Sequence, residues 1–224
     1  MTYELVLANK TYSGWGLRVW LLFKHFLISF EHSVVPLYGD QHHEFMQAEQ
    51  PARQFPTLIV TLTDTRHVIW DSLAITEYLS DVHQENNIWP RELMARAAAS
   101  SLCAEMHSGF KALRTKMPVN LERCYRTFRP DADTRADIDR VRELWAWARE
   151  RFPSGGPYLF GQRFTAADAF FAPVAARFQT YSIPLAAHEQ QYCNLLLGHP
   201  ATMEYVEDAV AEPWVLEHNE FSME

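Results

Sequence analysis

Pro90 divides this chain into two stretches whose apolar residues repeat with different periods, and few folds accommodate that change. Before it, strand-like and helix-like runs alternate. Tyr3 to Ala8 is apolar and β-prone. Leu17, Val19, Trp20, Leu21, Leu22, Phe23 and Phe26 mark a mostly buried helix, and His32 to Leu37 reads as a second strand. A polar, irregular stretch runs from Gly39 to Arg53. Thr57 to Leu62 and His67 to Trp70 form an antiparallel hairpin across the short turn at Thr63–Arg66, and Leu73, Ile75, Tyr78, Leu79 and Val82 return to helical spacing. Beyond Pro90 strand signals nearly vanish. Glu92 to Met117, rich in Ala, Leu, Met and Arg, reads as one long helix. Thr134 to Phe152, Ala166 to Phe178, Leu185 to Leu197 and Ala201 to Val210 read as further helices.

The order strand–helix–strand, then hairpin, then helix implies a crossover between two parallel strands and a four-stranded mixed sheet. This is the thioredoxin-like arrangement. The expected fold class is therefore an α/β first domain, residues 1–83, and an all-helical second domain, residues 90–224. The polar segment Gln84–Asn87 acts as the linker between them.

Composition narrows the partners. Of 224 residues, 20 are Lys or Arg and 28 are Asp or Glu, a formal net charge of −8. A duplex-DNA binder needs the opposite balance, so nucleic acid is not expected as a partner, whereas a local cationic pocket for a small anion remains compatible. The three cysteines, Cys103, Cys124 and Cys193, are widely spaced and form no C-x-x-C pair, so neither a disulfide framework nor a metal site is expected, and reduced thiols suggest the cytoplasm. Met1 to Asn9 reads as a strand rather than a secretory leader. No 18-residue apolar run is present, so no membrane span is expected.

Four motifs carry the chemistry. The first, Tyr12-Ser13-Gly14-Trp15-Gly16-Leu17-Arg18, lies between the first strand and the first helix. A hydroxyl there faces the free N–H groups of a helix start, where an anion is favoured. Ser13 either caps the helix or donates its O–H to a bound thiolate. The second, Arg53-Gln54-Phe55-Pro56-Thr57-Leu58, places a proline directly before a strand. In a thioredoxin-like fold a cis bond at this place would turn the Phe55 backbone towards an extended peptide. In the third, Trp70-Asp71-Ser72-Leu73, Ser72 is the expected N-cap, and Asp71 and Ser72 suit a ligand's ammonium and carboxylate. The fourth, Phe164-Thr165-Ala166-Ala167-Asp168, is a capping box formed by Thr165 and Asp168, for which a structural role suffices.

In this order and spacing the four motifs resemble the glutathione S-transferase family, over nearly the whole chain. Tyr158 to Asp168 is similar to the family's second-domain signature, and Ala104 to Phe110 to the fourth helix of a bacterial subgroup. The serine-type classes, zeta and tau among them, are the nearest in pattern. The resemblance implies glutathione as co-substrate, a small electrophile as second substrate, a homodimer and no metal. It implies that Ser13 hydrogen-bonds the glutathione sulfur, that the Phe55 backbone before Pro56 pairs with its cysteinyl part, and that Asp71 and Ser72 hold its γ-glutamyl end. Gln54 falls where a lysine often reaches the glycine end, with His42, His43 or Arg53 as alternative cations. Tyr12 ranks behind Ser13 as the hydroxyl. Trp15, Met106, His107, Phe110 and Leu113 are the expected walls of the electrophile pocket, with Asn120 a further candidate.

The zeta class carries Ser-Ser-Cys where this chain has Ser13-Gly14-Trp15, which lowers the expectation of a cysteine-dependent isomerase. The implied function is a glutathione transferase. A glutathione-dependent isomerase and a non-catalytic module of the same fold are the alternatives. The energetics are modest: a thiol of pKa near 8.5 is only about 3% ionised at pH 7, and lowering that pKa by about two units takes about 2.7 kcal/mol. One hydroxyl donor supplies about 1–1.5 kcal/mol and a helix N-terminus about 0.3–2 kcal/mol.

Overall fold

A computed structural model describes residues 1–153 and 155–220. Strand β1 (Thr2–Leu7) leads into helix α1 (Gly14–His25) and strand β2 (Glu31–Val34). Helix α2 (Asp40–Ala48), the hairpin β3 (Thr57–Leu62) and β4 (Thr65–Trp70), and helix α3 (Ser72–Val82) follow. The sheet order is β2-β1-β3-β4. β1 pairs parallel with β2 (Leu5 opposite His32) and antiparallel with β3 (Leu5 opposite Leu58), and β3 pairs antiparallel with β4 (Ile59 opposite Val68). The mixed four-stranded sheet expected from the sequence is present.

The two-residue period of the strands divides the core. Tyr3, Leu5, Leu7, Leu58 and Val60 face α1 and α3 in the main cluster, whereas Val6, Ala8 and Ile59 face the other way with Phe55. Phe45 and Met46 of α2 cover that second face. The segment read as irregular is thus a helix in part. It presents only these two apolar residues to the sheet, too few to register as a period. β2 is shorter than expected, although the Val35 N–H still reaches the Leu7 carbonyl at 2.8 Å. β4 begins two residues earlier than the sequence suggested.

The remainder is helical: α4 (Leu93–Ser108), α5 (Lys111–Lys116), α6 (Ala132–Arg151), α7 (Ala166–Thr180), α8 (Ala187–Leu197) and α9 (Pro200–Ala211). The single long helix expected over Glu92–Met117 is two. Gly109 closes α4 by donating to the Glu105 carbonyl at 2.8 Å, and Phe110 adopts a left-handed φ of 58° that no helix continues through. α7 is buried along almost its whole length and packs against α1, α4 and α8, while α9 packs against α1. Cys103, Cys124 and Cys193 are free thiols. Among the described residues no helix is long and apolar enough to cross a membrane.

Candidate active site

The site begins where β1 gives way to α1. Lys10–Tyr12 form one 3-10 turn, and Ser13 follows with extended backbone angles that make it the N-cap of α1. Its Oγ accepts from the Gly16 N–H at 3.1 Å and makes a side-chain hydrogen bond with the Tyr205 hydroxyl. Capping and donating are therefore not alternatives, because a lone pair serves the helix and the hydroxyl keeps its hydrogen to donate. The Ser13 carbonyl accepts from the Tyr205 hydroxyl at 3.1 Å, which fixes the backbone from the other side. Two glycines permit that approach. A Cβ at Gly14 would lie 2.8 Å from the Pro173 Cβ, and one at Gly16 would lie 2.8 Å from the Tyr205 hydroxyl.

A second group of residues gathers at the start of α3. The N-cap there is Asp71, not Ser72 as the sequence suggested. The Asp71 Oδ1 accepts from the backbone N–H of Leu73 at 2.8 Å and of Ala74 at 3.4 Å. Asp71 takes a positive φ of 81°, a conformation that costs a non-glycine residue about 1–3 kcal/mol. Its Oδ2 accepts from His107 Nε2 at 3.0 Å and from the Gln54 amide at 3.3 Å. Ser72, moved one place into the helix, is buried, and its Oγ has no hydrogen-bond partner among the described residues. Gln54 is exposed and turned towards Asp71. The Phe55–Pro56 bond is cis, and the β3 ladder starts one residue later, at Thr57. Of the alternative cations, His42 packs 5.8 Å from the Phe55 ring and His43 turns its Nδ1 to the Gly39 carbonyl at 3.1 Å.

His107, at the end of α4, joins these two groups. Its ring meets the edge of Trp15 at 5.3 Å while its Nε2 holds Asp71. An ionised carboxylate only accepts, so Nε2 carries the hydrogen, and burial keeps the His107 pKa below its ordinary value despite Asp71. The other expected walls fall differently. Met106, Phe110 and Leu113 are buried in the main core, and Asn120 is also fully buried. Trp15 and His107 keep partial exposure.

Two arginines not assigned to the site by sequence flank Trp15, and a third, Arg177, repels both of them. The guanidinium carbons of Arg18 and Arg114 lie 4.4 Å and 4.5 Å from its ring centre, and Arg18 also stacks on Phe170 at 4.5 Å. Arg114 donates to the carbonyls at the end of α4, those of Met106, His107 and Gly109, and Arg177 donates to the Met117 carbonyl at 2.7 Å. Arg18 is 1% exposed, and its Nε and Nη1 find no hydrogen-bond acceptor among the described residues. Burial, with repulsion from Arg114 and Arg177, holds the Arg18 pKa well below the usual guanidinium range. Burial also lowers Arg114 to about 10 and Arg177 to about 9. The signal for Arg18 was legible: a lone charge inside the apolar run Leu17–Phe23.

Tyr12, the second-ranked hydroxyl, is engaged elsewhere. It donates to Glu220 at 2.7 Å, and burial together with that contact pushes its pKa up to about 12. Glu220 gave no sequence signal. The capping box forms as expected. Asp168 accepts from the Thr165 N–H at 2.9 Å and also from the Leu159 N–H and the Tyr192 hydroxyl, so its role is structural. Among the described residues no group of three His, Cys, Asp or Glu side chains is placed to hold a metal ion.

The sequence family of the glutathione S-transferase N-terminal domain matches residues 12–82, and that of the C-terminal domain matches residues 131–208. The chain belongs to the glutathione S-transferase family. Within it, the chain is 23% identical over 176 residues to a probable maleylacetoacetate isomerase of Caenorhabditis elegans, covering 78% of each protein. A crystal structure of a Burkholderia glutathione transferase homologue with bound glutathione superposes with a TM-score of 0.68 at 19% identity, over 94% of this chain and 99% of that one. A maleylacetoacetate isomerase from Anaeromyxobacter dehalogenans with bound glutathione gives 0.66 at 22% identity, over 95% and 98%. At these identities the likeness to solved glutathione transferases establishes the fold.

Proposed function

We propose that this chain binds glutathione with the sulfur against Ser13 and presents it as a thiolate to a small electrophile. The observation that carries this reading is the Ser13 hydroxyl, fixed at the start of α1 by the Gly16 N–H, which takes up a lone pair and leaves the hydroxyl its hydrogen to donate. Three contributions favour the thiolate: that O–H, the N-terminal end of α1, and the buried Arg18 charge one and a half turns further along the helix. The γ-glutamyl carboxylate goes to Ser72, whose buried Oγ is a donor without an acceptor among the described residues. The ammonium goes to Asp71, where the exposed Gln54 amide is the weakest of the donors to be displaced. The cysteinyl backbone pairs with Phe55, and Gln54 remains close enough for the glycine end. Residues 1–83 then act as the glutathione-binding domain, and residues 90–224 supply Trp15 with its neighbours His107 and Arg114.

Glutathione-bound relatives support the co-substrate, since the Burkholderia homologue and the Anaeromyxobacter isomerase both carry it. A second reading, glutathione-dependent isomerisation, is favoured by the relatives named maleylacetoacetate isomerase. There the thiolate would add to a cis double bond and leave again after rotation. Trp15 in place of the zeta-class cysteine makes transfer the preferred reading.

The decisive experiment titrates the ultraviolet absorbance of the bound thiolate in the native protein and in Ser13→Ala. The native protein should ionise bound glutathione well below pH 8, and the variant should return it towards the free thiol. Identical titrations would remove Ser13 from the mechanism. A panel of aryl halides and cis-enedioates then separates transfer from isomerisation.

A further inference from the structure

The Glu220 carboxylate is held like a ligand. Its Oε1 accepts from the Tyr12 hydroxyl at 2.7 Å and from Asn120 Nδ2 at 3.0 Å. Its Oε2 accepts from the Tyr125 hydroxyl at 3.2 Å and faces Arg123 Nε at 3.4 Å. Tyr12, Asn120 and Tyr125 are all buried, and Asn120 is completely so.

These donors are set by bonds that do not involve Glu220. The Asn120 Oδ1 accepts from the Glu122 and Arg123 N–H groups, and its Nδ2 also donates to the Tyr125 hydroxyl at 3.2 Å. Its carbonyl accepts from Thr180 Oγ1 at 2.8 Å, Leu121 donates to the Thr11 carbonyl at 3.0 Å, and Tyr125 donates through its backbone to Thr180. Glu220 itself arrives on a segment past the end of α9 in which Pro213, Trp214, Val215, Glu217 and His218 are exposed. The receptor is thus built into the fold, and the side chain that fills it is carried on a peripheral strap. Tyr12 immediately precedes Ser13, so the receptor and the proposed sulfur position share the segment that joins β1 to α1.

We propose that Tyr12, Asn120 and Tyr125 form a receptor for a carboxylate on the second substrate, and that Glu220 is its tethered occupant when no such substrate is bound. The inference rests on the transferase reading and deepens it by naming the substrate class, a carboxylate-bearing electrophile. With a chloronitrobenzoate, the glutathione thiolate attacks the carbon bearing chlorine. A C–S bond forms, the C–Cl bond breaks, chloride leaves with the bonding pair, and the thiol proton passes to water.

The test compares a chloronitrobenzoate with the matching uncharged chloronitrobenzamide, in the native protein, Glu220→Ala and Tyr12→Phe. A tethered competitor lowers apparent affinity by the fraction of time the receptor is open, so freeing it should lower the benzoate-to-benzamide KM ratio about tenfold in Glu220→Ala. Tyr12→Phe, which lacks the shortest donor, should raise that ratio. Calorimetry with plain benzoate supplies a readout independent of chemistry: Glu220→Ala should bind it more tightly than the native protein, and benzamide should not show the difference. Unchanged ratios and unchanged benzoate affinity in Glu220→Ala, with conjugation intact, would overturn the receptor and leave the transferase reading standing. Tighter benzoate binding in Glu220→Ala with no conjugation of either aryl halide would keep the receptor and count against the transferase reading.

Discussion

His107 Nε2 lies 3.0 Å from Asp71 Oδ2, so the end of α4 holds the carboxylate that also caps α3. That contact makes the proposed glutathione site a joint product of the two halves of the chain. His107→Leu keeps the packing against Trp15 but removes the donor. Losing one partly buried hydrogen bond is worth about 0.5–1.5 kcal/mol, so the KM for glutathione should rise about two- to tenfold with little change in kcat. His107→Gln, which can still donate, should recover most of the loss. Steady-state kinetics with glutathione as the varied substrate checks both.

Ser13→Ala should act twice. Removing the cap on α1 should cost about 1 kcal/mol of stability. Removing the O–H donor should lower kcat/KM at neutral pH by about tenfold and raise the pH at which the rate half-saturates. A denaturant titration reads the first effect and a pH–rate profile the second. A variant with altered stability but an unmoved profile would reduce Ser13 to a cap.

Ser72 offers the opposite signature. Its Oγ has no partner among the described residues, so Ser72→Ala removes no hydrogen bond there and should leave thermal stability unchanged or slightly raised. Glutathione affinity should nevertheless fall by about tenfold or more, as expected for a charge-assisted bond to a carboxylate. Calorimetry beside a thermal melt separates these effects, and a drop in stability without a drop in affinity would assign Ser72 to the core instead.

Arg18 predicts a trade of stability against chemistry. A buried cation whose Nε and Nη1 find no acceptor among the described residues destabilises the fold, so Arg18→Met, similar in length and apolar, should raise the melting temperature. The same change removes positive potential near the sulfur and should raise the bound-thiol pKa. A lower melting temperature together with an unchanged thiol pKa would contradict both halves of the expectation.

The fold should also weaken in mild acid through His25 and His199. The His199 Nδ1 accepts from the Ala201 N–H at 3.1 Å, so its Nε2–H donates to His25 Nδ1 at 2.9 Å and both rings are neutral. Burial, then His199, pushes the His25 pKa from its ordinary 6.5 down to about 4. Above pH 6.5 neither the folded nor the unfolded ring is charged, and no penalty arises. Between about 6.5 and about 4 the unfolded ring binds a proton that the folded one refuses, so stability falls as pH falls through that window. His25→Phe should flatten the stability–pH curve there, measured by urea denaturation at stepped pH.

What the sequence disclosed follows the range of the interactions. The strand and helix periods, the capping box at Thr165 and Asp168, and the N-cap at Ser13 are local patterns, and each reappears in the structure. The split at Gly109 was legible in principle, but the helix-forming residues on both sides of it concealed the break. Met106 and Phe110 were misassigned because an apolar residue on a helix reads the same whether it lines a pocket or fills the core. The Asp71–His107 contact and the Glu220 receptor join residues 36 and more than 90 positions apart, and no short-range pattern marks such pairs.

The close approach of Gly14 to Pro173 and of Ser13 to Tyr205 carries a consequence for how this protein can change. The hydroxyl proposed to meet the sulfur takes its position from helices that contribute nothing to the strand ladder. Drift in α7 or α9 would therefore register at the reactive centre without any alteration of the residues around it. Recombining the first half of this chain with the helices of a cousin should preserve the sheet and still displace the serine.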